Sequence, residues 1–317
     1  MIKLLELFGG IGAPRVALRN IGVPVKSLDY VEIDQQAVRS YNAMFEKDMA
    51  YKPQSVVGWN YQPDILIHGS PCQDFSIAGH QRGGKEGSET RSSLMWETIH
   101  IVQNMGAWRP RYIIWENVPN VTSRYMRPNF ERYIRELKDL GYTSSWDCLN
   151  AMDFGLPQLR KRVIVVSWRK GTEFPTEFPF DKLIHQPMAD IHGFLETNVP
   201  DRYTVCQPSL LAMIGRKGIS RLDVIDKFCY TIRTRQDQAP NAGVVPLPDG
   251  KYRFLTEREC WRLNGYWDSD FAAAERANPV AKDRMNRALY RQSGNTIAVP
   301  MLESLFQMLL LEEGDGS

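Results

Sequence analysis

Short apolar runs alternate with stretches of helical periodicity along the first 170 residues, and that alternation drives a chain toward a parallel, doubly wound α/β sheet. Lys3 to Phe8 reads as a buried strand. Gly9-Gly10-Ile11-Gly12 then turns the chain into a helix from about Pro14, since proline in a first helical turn lacks only an N–H that has no partner there. Val25 to Val31 supplies the next strand, followed by Asp34 as the N-cap of a helix reaching about Phe45. Asp64 to His68, Tyr112 to Trp115 and Val163 to Trp168 are further apolar strands. Helical periodicity fills Leu94 to Met105 and Phe130 to Leu140, where Gly141 supplies a stop.

Beyond Trp168 the pattern breaks. Phe174-Pro175, Phe178-Pro179-Phe180, Pro187, Pro200 and Pro208 interrupt any long element, which places a domain boundary near Lys170. The segment to about Tyr252 reads as loops and short strands, with turns at Pro240-Asn241-Ala242-Gly243 and Pro248-Asp249-Gly250. Thr256 begins a helix through Leu263, and Glu259 three residues on completes a capping box. Pro300 to Leu311 is so apolar that it needs a large partner surface and is expected to return to the first domain, ahead of a frayed tail at Glu312 to Ser317. The expected division is 1–170 plus 290–317 in one domain and 171–289 in a second, smaller one.

With 317 residues, 43% apolar and 24% charged, the chain can bury a sizeable core and is not a disordered protein. Its net charge of +2 does not announce a polyanionic partner, but Asp201 to Arg262 holds eleven Lys/Arg against seven Asp/Glu, a local excess greater than that of the whole chain. The cysteines, at 72, 148, 206, 229 and 260, are nowhere spaced Cys-x-x-Cys, so neither a disulfide framework nor a structural zinc is expected, and a reducing, cytoplasmic compartment is. His68, His80, His100, His185 and His192 form no pair at ligand spacing, and no metal is expected. No run reaches the roughly 18 apolar residues of a membrane span.

Candidate chemistry gathers at strand ends, where open α/β sheets hold their ligands. Pro71-Cys72-Gln73 follows the strand at His68, and Glu116-Asn117-Val118 ends a second strand. Gln158-Leu159-Arg160-Lys161-Arg162 leads into a third, and Gln292-Ser293-Gly294-Asn295-Thr296 is read as opening the last helix. Each has a plain alternative when taken singly. A free cysteine is usually a small buried hydrophobe, Glu116 a solvated carboxylate, the paired arginines a sheet edge, and the glycine turn one of many that follow a first strand. In this order the segments resemble the cytosine-C5 methyltransferase family, and the resemblance covers about three quarters of the chain.

The resemblance implies an S-adenosylmethionine-dependent methyltransferase with a Rossmann-like, doubly wound, mostly parallel sheet and a smaller target-recognition domain. Its substrate would be a cytosine within a specific sequence of double-stranded DNA, and its second product S-adenosylhomocysteine. C5 of cytosine is too weak a nucleophile to attack a sulfonium methyl, and a thiolate adding to C6 removes that obstacle by making the ring an enamine. Cys72 is the implied nucleophile. Glu116, in an apolar setting that favours its protonated form, would serve N3 of the ring; Arg162 would reach O2, Arg160 would support the catalytic loop and Gln158 the local backbone. Phe8, Gly9, Gly12, Glu32, Pro71, Leu94 and Asn295 are the implied cofactor positions, Glu32 through both ribose hydroxyls and Phe8 beside the adenine, with Gly294 permitting close approach. Gln73, Ser76 and Arg82, the last within a glycine-rich lid from Ala78 to Ser93, are implied DNA contacts together with Thr231, Arg233 and Arg235. The cytosine would be flipped out of the duplex, since a thiolate reaches C6 only from the ring face. Cys260, within Arg253-Phe254-Leu255-Thr256-x-Arg258-Glu259-Cys260, would be structural. A monomer suffices for one strand at a time, and a separately encoded restriction endonuclease is the implied partner.

The chain departs from the family pattern in three places. Glu6 stands where aspartate is more usual, Gly9 where alanine is, and Ser70 replaces a common phenylalanine. Asp48 lies at roughly the distance expected of the acid that meets the adenine amino group, but its neighbours do not match, and no residue is assigned that role. Two other readings stand beside the first. One is a transfer-RNA cytosine methyltransferase, whose Cys-Phe-Thr mark is only approximately echoed by Cys229-Tyr230-Thr231; the other is a catalytically silent DNA-binding module.

Overall fold

The computed structural model describes residues 1–45, 50–56, 63–70, 94–169, 176–218 and 221–311. Asp48, Pro71, Cys72, Gln73, Ser76, Arg82 and the expected lid lie outside the described residues. The first half runs β1 (Ile2–Leu7), α1 (Ala13–Asn20), β2 (Val25–Val31), α2 (Gln35–Phe45), β3 (Ile65–His68), α3 (Met95–Asn104), β4 (Tyr112–Asn117), α4 (Arg127–Asp139), β5 (Tyr142–Asn150), β6 (Gln158–Leu159) and β7 (Lys161–Arg169). It continues through α5 (Pro208–Leu211), β8 (Cys229–Tyr230), β9 (Val244–Pro246), β10 (Tyr252–Phe254), α6 (Glu257–Arg262), α7 (Asp268–Ala277), α8 (Arg287–Asn295) and α9 (Val299–Leu311).

Six strands form one sheet in the order β2-β1-β3-β4-β7-β5. β1 to β4 pair in parallel, while β7 runs antiparallel between β4 and β5, giving the mostly parallel, doubly wound α/β sheet expected. The chain steps from β1 outward to β2 and then back across to β3, so the strand order reverses between β1 and β3. Such a reversal opens a crevice at the carboxyl ends of the two strands. In register, Leu7 lies opposite His68, which sets Phe8 and Gly9 beside Gly69 and Ser70 at that crevice.

Successive side chains of a strand point to opposite faces. Leu4, Ile65, Ile114 and Ile164 accordingly face a core shared with α1 and α9, and Leu5, Leu66, Ile113 and Val163 face one shared with α3 and α4. The apolar α9 thus returns to the first sheet as expected. Trp261, Tyr266, Phe271 and Leu289 join the same core as α9, tying α6, α7 and α8 to the sheet. Arg19 of α1 donates to both carboxylate oxygens of Asp270 at 2.7 and 2.9 Å, and Asn278 donates to Ser40 of α2. A separate core, with Ile191, Ile225, Ile232, Val245 and Cys260, forms under the loops and short strands of the second half.

The capping signals hold. Asp34 accepts the N–H of Gln36 at 2.8 Å, and Thr256 and Glu259 make the reciprocal box that starts α6. Two expectations change. β5 and α7 were not anticipated: β5 leaves Trp146, Asp147 and Cys148 exposed on a sheet edge, which blurs its apolar alternation, and α7 begins at Trp267, an atypical cap. Gln292 to Asn295 close α8 rather than open the last helix, because Asn286 caps the N–H groups of Ala288 and Leu289 and starts the helix two turns earlier.

Candidate cofactor and catalytic cleft

The crevice at the β1/β3 reversal is a cleft lined by Glu6 to Ile11, Ile67 to Gly69, Glu116 and Asn295 to Ile297, among other residues. Its floor is built by the glycine turn. Phe8 takes a φ of 55°, a left-handed conformation uncommon for a residue with a side chain, and Gly10 and Gly12 follow at 54° and 73°. The strain at Phe8 is over-determined by its surroundings: the Tyr30 hydroxyl donates to the Gly10 carbonyl at 2.6 Å, and the Gly10 N–H donates to Glu32 at 3.0 Å. A Cβ at Gly9 would stand 2.5 Å from the Tyr30 ring, and one at Gly12 would run into Tyr41 and Phe45. The glycine at position 9 is therefore fitted to Tyr30, whose ring stacks on Tyr41 with centroids 3.7 Å apart.

Glu32 accepts from the N–H groups of Gly10, Ile33 and Asp34. A carboxylate offers about four lone-pair sites, so it keeps capacity for a further donor. Burial raises its pKa. Glu6 is fully buried and lines the same cleft. One of its oxygens accepts the Tyr41 hydroxyl at 2.6 Å, and the other, Oε1, has no hydrogen-bond partner among the described residues. Burial pushes its pKa up to about 7, against the lowering influence of Tyr41 and Arg15.

The far side of the cleft carries the chemistry expected at strand ends. Glu116 pairs with Arg162, Nε to Oε1 at 2.7 Å, both side chains largely buried. The apolar setting expected for Glu116 is thus corrected, because antiparallel pairing of β4 with β7 brings the guanidinium across to it. The next residue back, Trp115, donates its indole N–H to the Ser70 hydroxyl at 3.0 Å, and Asn117 donates to the Ser70 carbonyl at 3.4 Å. The end of β4 therefore fixes the end of β3 just before Pro71 and Cys72. Ser70, which replaces a common phenylalanine, accepts here a hydrogen bond that phenylalanine could not.

Arg160 sits apart from that pair. It is 1% exposed and donates to the carbonyls of Ile232 at 3.1 Å, Gly294 at 3.1 Å and Thr296 at 2.5 Å. The described contacts of its guanidinium join the 231–236 stretch to the end of α8, whereas support of the catalytic loop was expected. Gln158 bonds Ile232, Leu263 and Asn264, and Thr231 bonds the Leu159 carbonyl at 2.8 Å. A Cβ at Gly294 would collide with the backbone of Arg233 and Thr234, so the close approach expected of Gly294 is to this stretch. Arg235 spends its fork on Asp237 at 3.0 and 3.1 Å, while Arg233 is exposed. Phe8, Gly9 and Asn295 line the cleft; Gly12 packs behind it, and half-buried Leu94 precedes α3 and is not among the lining residues. Sequence reasoning gave Tyr30, Tyr41 and His68 no role. His68, in the cleft wall, is buried between Tyr133 at 2.7 Å and Thr98 at 3.4 Å, and burial pushes its pKa down to about 3. Position alone, at the ends of β1, β2 and β3, was the signal that could have found them. Cys260 is buried without contact with solvent, as a structural cysteine should be.

Comparison with known proteins agrees with this geometry. Residues 2–310 match the C-5 cytosine-specific DNA methylase family profile. The type II methyltransferase M2.ScrFI of Lactococcus lactis subsp. cremoris is 29% identical, covering 98% of this chain and 99% of its own. The orphan methyltransferase M.SPRI of Bacillus phage SPR is 31% identical over 98% of this chain and 97% of its own. The crystal structure of the S. pombe Dnmt2 methyltransferase superposes with a TM-score of 0.77 at 19% identity, covering 99% of this chain and 100% of that one, and so shares the fold. The chain belongs to the C-5 cytosine-specific DNA methylase family.

Proposed function

We propose that the protein methylates C5 of a cytosine within a specific sequence of double-stranded DNA, with S-adenosylmethionine as methyl donor and Cys72 as nucleophile. The observation that carries this reading is the convergence, in one cleft at the β1/β3 reversal, of the strained glycine turn, Asn295 and the Glu116–Arg162 pair. The residues present fit the cofactor. The turn is bare of side chains at Gly9 and Gly10, Glu32 retains acceptor capacity for ribose hydroxyls, and the partnerless Glu6 oxygen suits a cationic ligand. When bound, S-adenosylmethionine supplies an electrophilic methyl group.

The chain's own residues do the rest. The Cys72 thiolate adds to C6 of a flipped cytosine, forming a C–S bond and pushing the C5–C6 electron pair toward C5, which takes the methyl. Glu116 and Arg162, side by side, supply an acid and a forked cation for N3 and O2, where negative charge collects. Loss of the C5 proton to a base then expels the thiolate and restores the aromatic ring. Trp115 and Asn117 hold the strand from which Cys72 is delivered. The 231–236 stretch, with exposed Arg233, reads the target, and the chain acts as a monomer beside a separately encoded endonuclease. We assign the target-reading role to a smaller domain within 171–289, with α7 serving the larger unit on which it packs.

Bisulfite sequencing of DNA from cells expressing the protein tests the reading and returns the target sequence with it. Cytosines protected at one sequence context are expected, and protection should vanish in Cys72→Ser. Methyl transfer to RNA alone, or protection that survives Cys72→Ser, would overturn it.

A further inference from the structure

We propose that Glu6 is a proton-linked receptor for the positively charged part of the cofactor's methionine moiety, so that cofactor binding expels a proton from the protein. The inference rests on the cofactor reading above and deepens it.

A buried acid with a purely structural role has both oxygens matched, because an unmatched polar atom away from water is costly. Glu6 is matched on one side only. Its Oε2 takes the Tyr41 hydroxyl, which in turn accepts from Arg15 Nη1 at 3.2 Å, while Oε1 is left without a partner among the described residues. The residue also lines the cleft between the glycine turn and Asn295. The groups facing Glu6 from its neighbours are Tyr30 of β2, Tyr41 of α2, Tyr266 from the turn before α7, and Arg15 of α1. Burial raises all three tyrosines, so they are neutral, and Arg15 reaches Glu6 through Tyr41. Glu32 lies across Gly10 and bonds its N–H. The pocket thus holds an acid poised near neutrality, one hydrogen bond short of satisfaction.

A cation entering the cleft changes that balance. An opposite charge within about 4–6 Å favours the carboxylate, so the ligand binds the deprotonated form and the proton leaves. With Glu6 at about 7 in the free protein, affinity should fall about tenfold for each pH unit below 7 and level off above it.

Calorimetric titration of S-adenosylmethionine into the full chain, in buffers of different ionisation enthalpy, counts the proton directly. Wild type should release about one proton near pH 6 and almost none near pH 8.5. Glu6→Gln keeps the shape and an acceptor for Tyr41; it should release none, show a flat pH profile and bind roughly 30-fold or more weakly at high pH. Glu32 is also raised by burial, so the Glu6→Gln comparison assigns the proton. Should that variant not fold, Tyr41→Phe removes the donor to Oε2 and is expected to move the midpoint of the affinity profile upward. S-adenosylhomocysteine separates the two cationic groups: release with both ligands places the ammonium at Glu6, and release with S-adenosylmethionine alone places the sulfonium there. Proton release that persists in Glu6→Gln, or a midpoint unmoved in Tyr41→Phe, overturns the proposal while leaving the cofactor reading intact. A wild-type protein that binds no S-adenosylmethionine overturns the cofactor reading itself.

Discussion

At the scale of single residues, Glu6 and His68 carry opposite titration liabilities a short distance apart on neighbouring strands. Glu6 rises from 4.5 to about 7, so between those values the native state holds a proton that the unfolded chain has lost. Its contribution is fully present below pH 4.5 and is lost as pH rises through about 7. His68 falls from 6.5 to about 3, so its contribution is present above pH 6.5 and is lost as pH falls through about 3. In the absence of cofactor, Glu6→Gln should therefore gain on wild type as pH climbs from 5 to 8, by on the order of 3 kcal/mol if the whole shift is realised. Urea midpoints across that range measure it, and a constant difference would refute it. Neither environment was legible in the sequence. Glu6 stood out only as a departure from the family's usual aspartate, and acids so placed are normally solvated; its isolation comes from Tyr30, Tyr41 and Tyr266, which converge from three separate segments.

At the scale of elements, what local chemistry dictates was readable and what partners dictate was not. Val25–Val31, the Asp34 cap and the Thr256/Glu259 box follow from residues adjacent in sequence, and all appear as expected. The placement of Gln292 to Thr296 at the end of α8 depends instead on Asn286 and on the burial of Leu289 and Tyr290. That end is a junction. Gly294 abuts the backbone of Arg233 and Thr234, Arg160 ties its carbonyl to that of Ile232, and Asn295 faces the cleft. Gly294→Ala should push the two segments apart, because backbone cannot yield as a flexible side chain can. A loss of about 1–3 kcal/mol is expected, with a matching fall in DNA affinity. An alanine variant with unchanged denaturation midpoint and unchanged DNA binding would count against the junction.

For the molecule as a whole, the strand order and the family resemblance were recoverable from sequence because the first half alternates so regularly. The attachment of α6 to α8 onto that half was not, since Arg19–Asp270, Asn278–Ser40 and the packing of Trp261 and Phe271 join residues more than 200 positions apart. These ties predict that the two cores unfold together. Trp115 reports from the core under α3 and α4, and Trp261 from the core under α1 and α9. Denaturation followed by fluorescence in Trp115→Phe and in Trp261→Phe should match circular dichroism within each variant. A fluorescence midpoint separate from the circular dichroism midpoint in either variant would reveal independent units.

The collision course between Gly294 and the main chain at 233–234 has a practical corollary for anyone grafting a new sequence preference onto this scaffold. Side chains in the transplanted piece are free to vary, but its peptide path past that glycine is not. A donor loop that bulges there would jam the hinge on which Asn295 hangs, and the chimera would lose its appetite for methyl donor before it ever met a base.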